Sequence, residues 1–216
     1  MVITDRSRLG ATAGLEQETA LVDFVVAMAL AGVDAVQLRE RDWPDGRSLR
    51  VTRTACRMVQ GTTCRVFVNE RAHVAVAAGA HGVHLRGTGM PVRRVRQVWP
   101  SQLLIGRSMH VGDDLADGEG ADLVMFGTVF PSVSKEAGAP VAGLDALADW
   151  TRRPAMAPVV AVGGIGIDSC AAVHAAGACG VAGIDVFVKA WQQGPESLAA
   201  VVREIHAVFR DRERAE

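Results

Sequence analysis

The sequence predicts a (β/α)8 barrel, and a fourfold internal repeat is the first of three observations that predict it. Four segments carry glycine in second position and then a short β-prone run: AGVDAVQL (31–38), AGAHGVHL (78–85), EGADLVMF (119–126) and AGACGVAG (176–183). Glycine at that place is typical of a helix that ends in the left-handed conformation just before a strand begins. The recurrence therefore predicts one supersecondary unit used four times.

The second observation is a set of four further apolar runs between the repeats. They occupy residues 2–4, 65–68, 103–105 and 159–162. Short strands rich in β-branched residues are typical of a parallel sheet that is buried on both faces. Together with the four repeats, these runs predict eight strands.

The third observation is helical periodicity in the segments between the strands. Apolar residues at spacings of 3, 1, 3 and 1 predict one buried helix face, made of Leu21, Phe24, Val25, Met28 and Ala29. A related pattern near the C-terminus comprises Leu198, Val201, Val202, Ile205 and Phe209. Strand and helix are thus predicted to alternate eight times, which favours the closed barrel over its alternative, an open doubly wound sheet.

Composition and charge bound the class of protein. Residues 1–210 are predicted to form a single barrel domain and residues 211–216 a solvated tail, because no change of composition marks a second domain. A net charge of −1 does not indicate a nucleic-acid-binding protein. The chain shows neither an 18-residue apolar stretch nor a signal peptide, so we expect a cytoplasmic protein without a membrane contact. The four cysteines form no CxxC pair, which predicts reduced thiols.

Polar side chains follow nearly every predicted strand, at the end of the barrel where active sites lie. Side chains alternate along a strand, so Gln37, Arg39 and Arg41 point the same way and form a candidate anion clamp. The alternative is that both arginines pair with neighbouring carboxylates in a network at the rim. Gly163 and Gly164 follow the seventh strand, where glycine lets backbone N–H groups approach a phosphate.

The stretch FGTVFPSVSKEAGAP (126–140) is predicted to be a mobile cover over the substrate. It would supply Ser132, Ser134 and Lys135 as donors, although an ordinary exposed loop whose serines cap the next helix is the alternative. His84 and His110 lie at strand ends, where a general acid or base is useful. No histidine pair has metal-ligand spacing, so neither a metal site nor a cofactor is predicted.

Five motifs in order carry a family resemblance: VQLRERD, VFVNERAHVAVAAGAHGVHL, IGRSMH, FGTVFPSVSK and VAVGGI. Over about residues 2–190 the chain resembles the thiamine phosphate synthase/TenI family, which implies a (β/α)8 barrel. One branch joins a pyrimidine diphosphate to a thiazole phosphate, with Mg²⁺ helping the diphosphate to leave. The other includes a tautomerase that aromatises a thiazole phosphate by moving protons.

The resemblance to the synthase branch is incomplete at the metal site. Asn69 matches the synthase pattern, but Glu70 stands where a metal-binding aspartate is implied, and Gly89 stands where a second one is implied. Arg41 stands in place of a lysine, and Arg86 adds positive charge nearby. Because a hard dication prefers carboxylates, these departures predict weak Mg²⁺ binding and argue against synthase activity.

The resemblance to the TenI branch is closer in GRSMH (106–110) and SKEAGAP (134–140), but it has two departures. Thr128 stands where the tautomerase histidine is implied, so His110 or His84 would have to move the proton. Asp185 stands where the resemblance implies a phosphate-binding serine. A carboxylate there repels a phosphate by roughly 1–4 kcal/mol. Either Asp185 turns away, or a cation bridges, or the ligand carries no phosphate there.

These observations predict a TenI-like enzyme that binds a thiazole phosphate or a related heterocycle and catalyses its tautomerisation. His110, Glu70 and His84 are the predicted catalytic residues. The predicted substrate-binding residues are Gln37, Arg39, Arg41, Asn69, Ser132, Ser134, Lys135, Gly163, Gly164 and Asp185. The alternatives are a thiamine phosphate synthase with a degenerate Mg²⁺ site and a non-catalytic binder. We expect a small-molecule substrate as partner, no nucleic acid and no membrane, and the resemblance allows a homodimer.

Overall fold

The computed structural model describes residues 1–11, 13–132, 140–153 and 157–210, and in them eight parallel strands pair in chain order. The strands are β1 Val2–Ile3, β2 Ala35–Leu38, β3 Arg65–Asn69, β4 Gly82–Leu85, β5 Leu104–Met109, β6 Leu123–Gly127, β7 Val159–Val162 and β8 Gly180–Ala182. Val2 also bridges to Gly183, and the backbone N–H of Ile3 donates to the carbonyl of Gly183 at 2.9 Å. The sheet therefore closes on itself, which confirms the barrel and rules out the open sheet.

Eight α-helices surround the strands within the described residues. They are α1 Gly14–Leu30, α2 Asp45–Met58, α3 Ala72–Ala78, α4 Val92–Val98, α5 Gly143–Thr151, α6 Cys170–Ala175, α7 Asp185–Gln193 and α8 Pro195–Phe209. Short 3₁₀ turns lie at Arg6–Arg8, Leu115–Gly118 and Ile167–Ser169. The predicted alternation of strand and helix is wrong between β5 and β6, where the 3₁₀ turn Leu115–Gly118 stands in place of an α-helix. Two α-helices, α7 and α8, follow β8.

The repeat glycines have the conformation that the repeat predicts. The φ angles of Gly32, Gly79, Gly120 and Gly177 are 91°, 72°, 78° and 94°, all in the left-handed region that favours glycine. At Gly177 packing adds a second requirement, because a Cβ atom there would lie 2.4 Å from Oγ1 of Thr151. Each glycine thus turns the chain into the next strand.

The predicted apolar faces pack between helices and barrel. The buried residues of α1 are the five that the periodicity predicts, namely Leu21, Phe24, Val25, Met28 and Ala29. In α8, Leu198, Val202 and Ile205 are buried, while Val201 and Phe209 are half-buried.

Side chains fill the barrel interior at the amino ends of the strands, which we call its lower part. Phe67 is paired with Gly82 across β3 and β4, and a Cβ atom on Gly82 would lie 2.4 Å from the Phe67 ring. Ile3, Met125 and Ala182 form a small buried apolar cluster inside the strands. The barrel is therefore packed below, and open space remains at the carboxyl ends of the strands.

Several sequence predictions fall outside what the structure tests. The predicted tail, residues 211–216, lies outside the described residues, and the single-domain assignment, the cytoplasmic location and the homodimer stay predictions. None of the helices in the described part of the chain is long and apolar enough to cross a membrane. The cysteines are free thiols; Cys56, Cys64 and Cys170 are buried, and Cys179 is exposed.

Candidate active site at the carboxyl ends of the strands

A cavity of about 720 Å³ opens at the carboxyl ends of the strands. Every strand contributes a lining residue: Ile3, Gln37, Asn69, His84, Ser108, Met125, Val162 and Ala182. The cavity also brings together most of the predicted site residues: Gln37, Arg39, Arg41, Asn69, His84, His110, Ser132, Gly163, Gly164 and Asp185. Its volume falls in the range typical of small-molecule sites. Ser134 and Lys135, which the sequence also predicts, lie outside the described residues.

Two buried amides form part of the cavity floor. Nε2 of Gln37 donates to Oδ1 of Asn69 at 3.1 Å, and Gln37 is only 2% exposed. Oε1 of Gln37 has no partner among the described residues. Because buried polar atoms are nearly always hydrogen-bonded, this oxygen is a candidate acceptor for a donor on the ligand.

His84 is buried in the barrel wall. Its Nε2 lies 2.8 Å from Oγ of Ser108, and its Nδ1 has no partner among the described residues. Burial, offset in part by the charge of Glu70, lowers the pKa of His84 to about 4. Gly106 leaves room for the ring, because a Cβ atom there would lie 2.6 Å from Nδ1. His84 is therefore a neutral imidazole near pH 7.

His110 differs from His84 because it is exposed at the mouth of the cavity. Its backbone N–H donates to Oδ2 of Asp113 at 2.8 Å, and its Nδ1 lies 3.3 Å from the same oxygen. This contact fixes the ring beside the opening. His110 is thus placed to meet a ligand at the rim and not in the depth of the barrel.

Arg39 and Arg41 enter the cavity without a carboxylate partner among the described residues. Neighbouring carboxylates are taken by other arginines: Arg6 pairs with Glu40 at 2.9 Å and also with Asp42. Burial and then the charge of Arg41 lower the pKa of Arg39 below its usual range. The predicted alternative of a rim network is therefore wrong for this pair, and two guanidinium groups are left for an anion.

Glu70 directly follows β3 and forms an ion pair with Arg86 in the loop after β4. The Glu70 carboxylate accepts from the backbone N–H of Arg86 at 2.8 Å and from its Nε at 2.7 Å. Burial raises the pKa of Glu70, but these bonds outweigh burial, so the pKa lies below its usual range. A Cβ atom on Gly89 would lie 2.3 Å from Oε1 of Glu70. The longer glutamate thus fills the space that a side chain at position 89 would need.

This arrangement does not fit a divalent cation. No group of three or more histidine, cysteine, aspartate or glutamate side chains suited to a metal ion exists among the described residues. Glu70, whose carboxylate is already bound to Arg86, has no second carboxylate beside it at Gly89. Because Mg²⁺ is bound in phosphate-binding sites by one or two protein carboxylates together with the substrate phosphates, the Glu70–Gly89 position, which offers no free carboxylate, does not fit it.

Gly163 and Gly164 follow β7 on the other side of the mouth, with φ angles of 102° and 63°. Neither position tolerates a side chain. A Cβ atom on Gly163 would lie 2.4 Å from Cγ2 of Thr128, and one on Gly164 would lie 2.2 Å from the carbonyl oxygen of Pro131. The loop after β6 therefore packs directly on these glycines, and their backbone faces the cavity.

Asp185, which stands where the resemblance implies a phosphate-binding serine, is the first residue of α7. Its carboxylate forms an ion pair with Arg8, whose Nε also lies 3.2 Å from Oδ2 of Asp5. Arg8 thus lies between two carboxylates and partly neutralises the charge of Asp185. Lys189, one helical turn further, also lines the cavity.

The predicted site residues do not include Arg8, Ser108 or Lys189, and the sequence indicates Arg86 only as a positive charge near the metal position. Lys189 could have been found, because its i, i+4 spacing from Asp185 places both on one face of a helix. Arg8 and Arg86 could not be assigned from spacing alone. Their partners, Asp185 and Glu70, follow other strands and lie close to them only in the folded chain.

Comparison with known proteins decides the family. The family model described as thiamine monophosphate synthase matches residues 2–187. The chain belongs to this family. A thiamine-phosphate synthase of Anaeromyxobacter dehalogenans is 42% identical over 171 residues, which are 78% of this chain and 75% of the relative. A putative thiamine-phosphate synthase of Geobacter sulfurreducens is 40% identical over 189 residues, which are 87% of this chain and 85% of the relative.

Solved structures of similar proteins agree in fold. Thiamine phosphate pyrophosphorylase from Pyrococcus furiosus matches with a TM-score of 0.78 at 29% identity, covering 97% of this chain and 94% of that one. The 3-hexulose-6-phosphate synthase from Salmonella typhimurium matches with a TM-score of 0.64 at 15% identity, covering 96% of each chain. At that identity the second likeness shows the fold alone.

The prediction of a TenI-like tautomerase is wrong. Relatives that are 42% and 40% identical over the aligned residues are named thiamine-phosphate synthase and putative thiamine-phosphate synthase, which are names of a transferase. The departures at Glu70 and Gly89 therefore do not separate this chain from relatives that are named synthases. Thr128 lines the cavity but does not titrate near neutrality, as the sequence indicates. The catalytic roles of His110, Glu70 and His84 stay predictions.

Proposed function

We propose that this protein is a thiamine-phosphate synthase, a transferase that joins a pyrimidine diphosphate to a thiazole phosphate and releases pyrophosphate. The relatives described above support this reaction in preference to tautomerisation. The single observation that carries the proposal is that one cavity is lined on one side by arginine side chains and on another by glycine backbone, each of which suits an anion. A reaction between two anionic substrates requires such a pair of regions.

The first region is the arginine side of the mouth, formed by Arg39, Arg41 and Arg86. These residues follow β2 and β4. Guanidinium groups match the geometry of phosphate oxygens and stay charged at all physiological pH values. We assign the diphosphate of the pyrimidine substrate to this side.

The second region is the glycine side, formed by Gly163 and Gly164 after β7 and by Gly183 after β8. In a barrel whose eight strands pair in order, β3 faces β7 and β4 faces β8, so this side lies across the mouth from the arginines. The backbone there approaches the cavity without side chains in the way. We assign the thiazole phosphate to this side.

The pyrimidine ring would lie between the two regions, over the buried amides. Oε1 of Gln37 needs a donor, and an amino group on a heterocycle supplies one. His84 stays neutral there, because burial lowers its pKa to about 4, so it adds no positive charge below the ring. In the reaction, the bond from carbon to the diphosphate oxygen breaks and its electron pair leaves with pyrophosphate. The thiazole nitrogen supplies the pair for the new carbon–nitrogen bond.

The direct test is to incubate the purified protein with both substrates and to measure pyrophosphate and thiamine phosphate together. We expect equal amounts of both products. The variant Gln37→Ala should lose most of this activity, whereas Asp149→Asn, on the exposed face of α5, should keep it. Absence of both products at substrate concentrations that saturate binding would reject the proposal and favour a non-catalytic binder.

A further inference from the structure

We propose that Arg86, held in place by Glu70, binds the diphosphate of the substrate without a divalent cation, together with Arg39 and Arg41. This inference rests on the proposed function for the identity of the anion. It departs from the family resemblance, which implies Mg²⁺ at this place. The consequence is a transferase whose leaving group is stabilised by arginine alone.

The contacts of Arg86 are the first step. Nε and Nη2 of Arg86 each lie 2.7 Å from Oε2 of Glu70, while Nη1 has no partner among the described residues. Arg86 lines the cavity and is 46% exposed at its side chain. One edge of the guanidinium is therefore fixed by Glu70, and the other edge is available to an anion in the cavity.

The backbone around Glu70 and Arg86 is the second step. Glu70 has a φ of 65°, and among the described residues no other residue except glycine has a positive φ. Left-handed backbone costs free energy in residues other than glycine, so it persists where neighbouring contacts compensate for it. Here the backbone N–H of Glu70 donates to the carbonyl of His84 at 2.8 Å, and the Glu70 carboxylate binds Arg86 twice.

The loop that carries Arg86 is also held by hydrogen bonds from a buried side chain of β5. Arg107 is 2% exposed and donates to the carbonyl oxygens of Gly87 at 2.8 Å and Met90 at 3.2 Å. A buried arginine thus holds the loop through its backbone. The loop thus keeps the partly exposed Arg86 side chain near the strand end.

The charge balance is the third step. Arg39 and Arg41 have no carboxylate within salt-bridge distance among the described residues, and Arg86 stands near enough to Arg39 to lower its pKa. Arg39 and Arg41 are two uncompensated positive groups beside the Arg86–Glu70 pair, and they repel each other until an anion binds between them. When the carbon–oxygen bond breaks, the electron pair stays on the diphosphate, and these groups stabilise the added negative charge. The lone pair of the thiazole nitrogen forms the new bond to the carbon, and no proton is transferred.

The first test measures binding of inorganic pyrophosphate by calorimetry in a buffer with EDTA. We expect the parent to bind, and Arg86→Gln to bind about tenfold more weakly or worse, because a hydrogen bond to a charged group contributes about 1.5–3 kcal/mol. Arg152→Gln removes an equal charge from an exposed ion pair on the far side of α5 and should bind like the parent. A thermal melt of each variant establishes that it is folded. Binding that appears only when Mg²⁺ is added would overturn the inference.

The second test compares pyrophosphate release from both substrates in EDTA and in Mg²⁺. Similar rates in the two buffers, with a loss of rate in Arg86→Gln, support the inference. Release that requires Mg²⁺ overturns the inference and leaves the proposed function standing. No release in either buffer, with pyrophosphate binding that still depends on Arg86, rejects the proposed function but not the cation-free anion site.

The third test rebuilds the metal site. Gly89 does not have a positive φ, and its Cβ position is blocked by Oε1 of Glu70 at 2.3 Å. The double variant Glu70→Asp with Gly89→Asp shortens one side chain and adds the other, which gives two carboxylates side by side. We expect this variant to bind Mn²⁺ in an electron paramagnetic resonance titration and the parent not to bind it. Mn²⁺ binding by the parent at the same concentrations would contradict the inference.

Discussion

His84 illustrates how burial alone changes the chemistry of a residue. The sequence places it at a strand end, where a general acid or base is expected, but only 2% of it is exposed in the folded chain. Desolvation lowers its pKa from 6.5 to about 4. A residue that is predicted to exchange protons is therefore held neutral near pH 7, and its distance from solvent is not visible in the sequence.

The first residue-scale prediction concerns the pH dependence of stability. His84 has a lower pKa in the folded state than in the unfolded state, so its neutral form stabilises the fold above pH 6.5. As pH falls from 6.5 to 4, His84 becomes protonated in the unfolded state but stays neutral in the folded state. The free energy of unfolding then falls by up to about 1.4 kcal/mol per pH unit. Urea unfolding of the parent and of His84→Asn over this range should show a shallower slope in the variant, and equal slopes would contradict the account.

The second residue-scale prediction concerns Asp185 and Arg8. Removing the cation with Arg8→Gln leaves the Asp185 carboxylate facing the substrate phosphate. We expect the Kd for thiazole phosphate to rise by about fivefold, the factor that corresponds to a partly exposed charge interaction of about 1 kcal/mol. Adding Asp185→Ser to the same chain should restore the parent affinity. A double variant that binds as weakly as Arg8→Gln would show that Arg8 acts in some other way.

At the scale of elements, the sequence predicts what depends on local pattern. The buried face of α1 follows from the spacing of apolar residues, and the left-handed glycines follow from the repeat. The segment between β5 and β6 differs, because VGDDLADGEG is too rich in glycine and aspartate for a stable helix and forms the 3₁₀ turn Leu115–Gly118. The Glu70–Arg86 pair was not predicted, because it joins the ends of two neighbouring strands. The two side chains meet because of the register between β3 and β4, which the spacing of residues along the chain does not specify.

The element-scale prediction concerns the glycine side of the cavity. Gly164→Ala places a Cβ atom 2.2 Å from the Pro131 carbonyl at a φ of 63°, so the loop after β6 must move away from the loop after β7. We expect weaker binding of thiazole phosphate and a loss of stability of about 1–3 kcal/mol from the strained backbone. Gly46→Ala in α2 is the matched control, since nothing lies within 4 Å of its Cβ position. Calorimetric binding and thermal melts of both variants measure the difference, and an unchanged affinity in Gly164→Ala would count against the assignment.

At the scale of the whole molecule, the barrel brings residues that are far apart in sequence to one mouth. Arg39 and Gly164 are separated by most of the chain, yet strand order places them on opposite sides of a single cavity. The barrel interior is packed at the amino ends of the strands, and open space remains at their carboxyl ends, where we propose that the two anion-binding regions lie. The central claim is that the arginine side binds diphosphate without a metal ion and the glycine side binds the thiazole phosphate.

A crystal structure of the protein with pyrophosphate and thiazole phosphate, grown in EDTA, tests that claim most directly. The account predicts pyrophosphate in contact with Arg39, Arg41 and Arg86, and the thiazole phosphate against Gly163 and Gly164. A metal ion coordinated by Glu70 when Mg²⁺ replaces EDTA, or pyrophosphate bound on the glycine side, would contradict it.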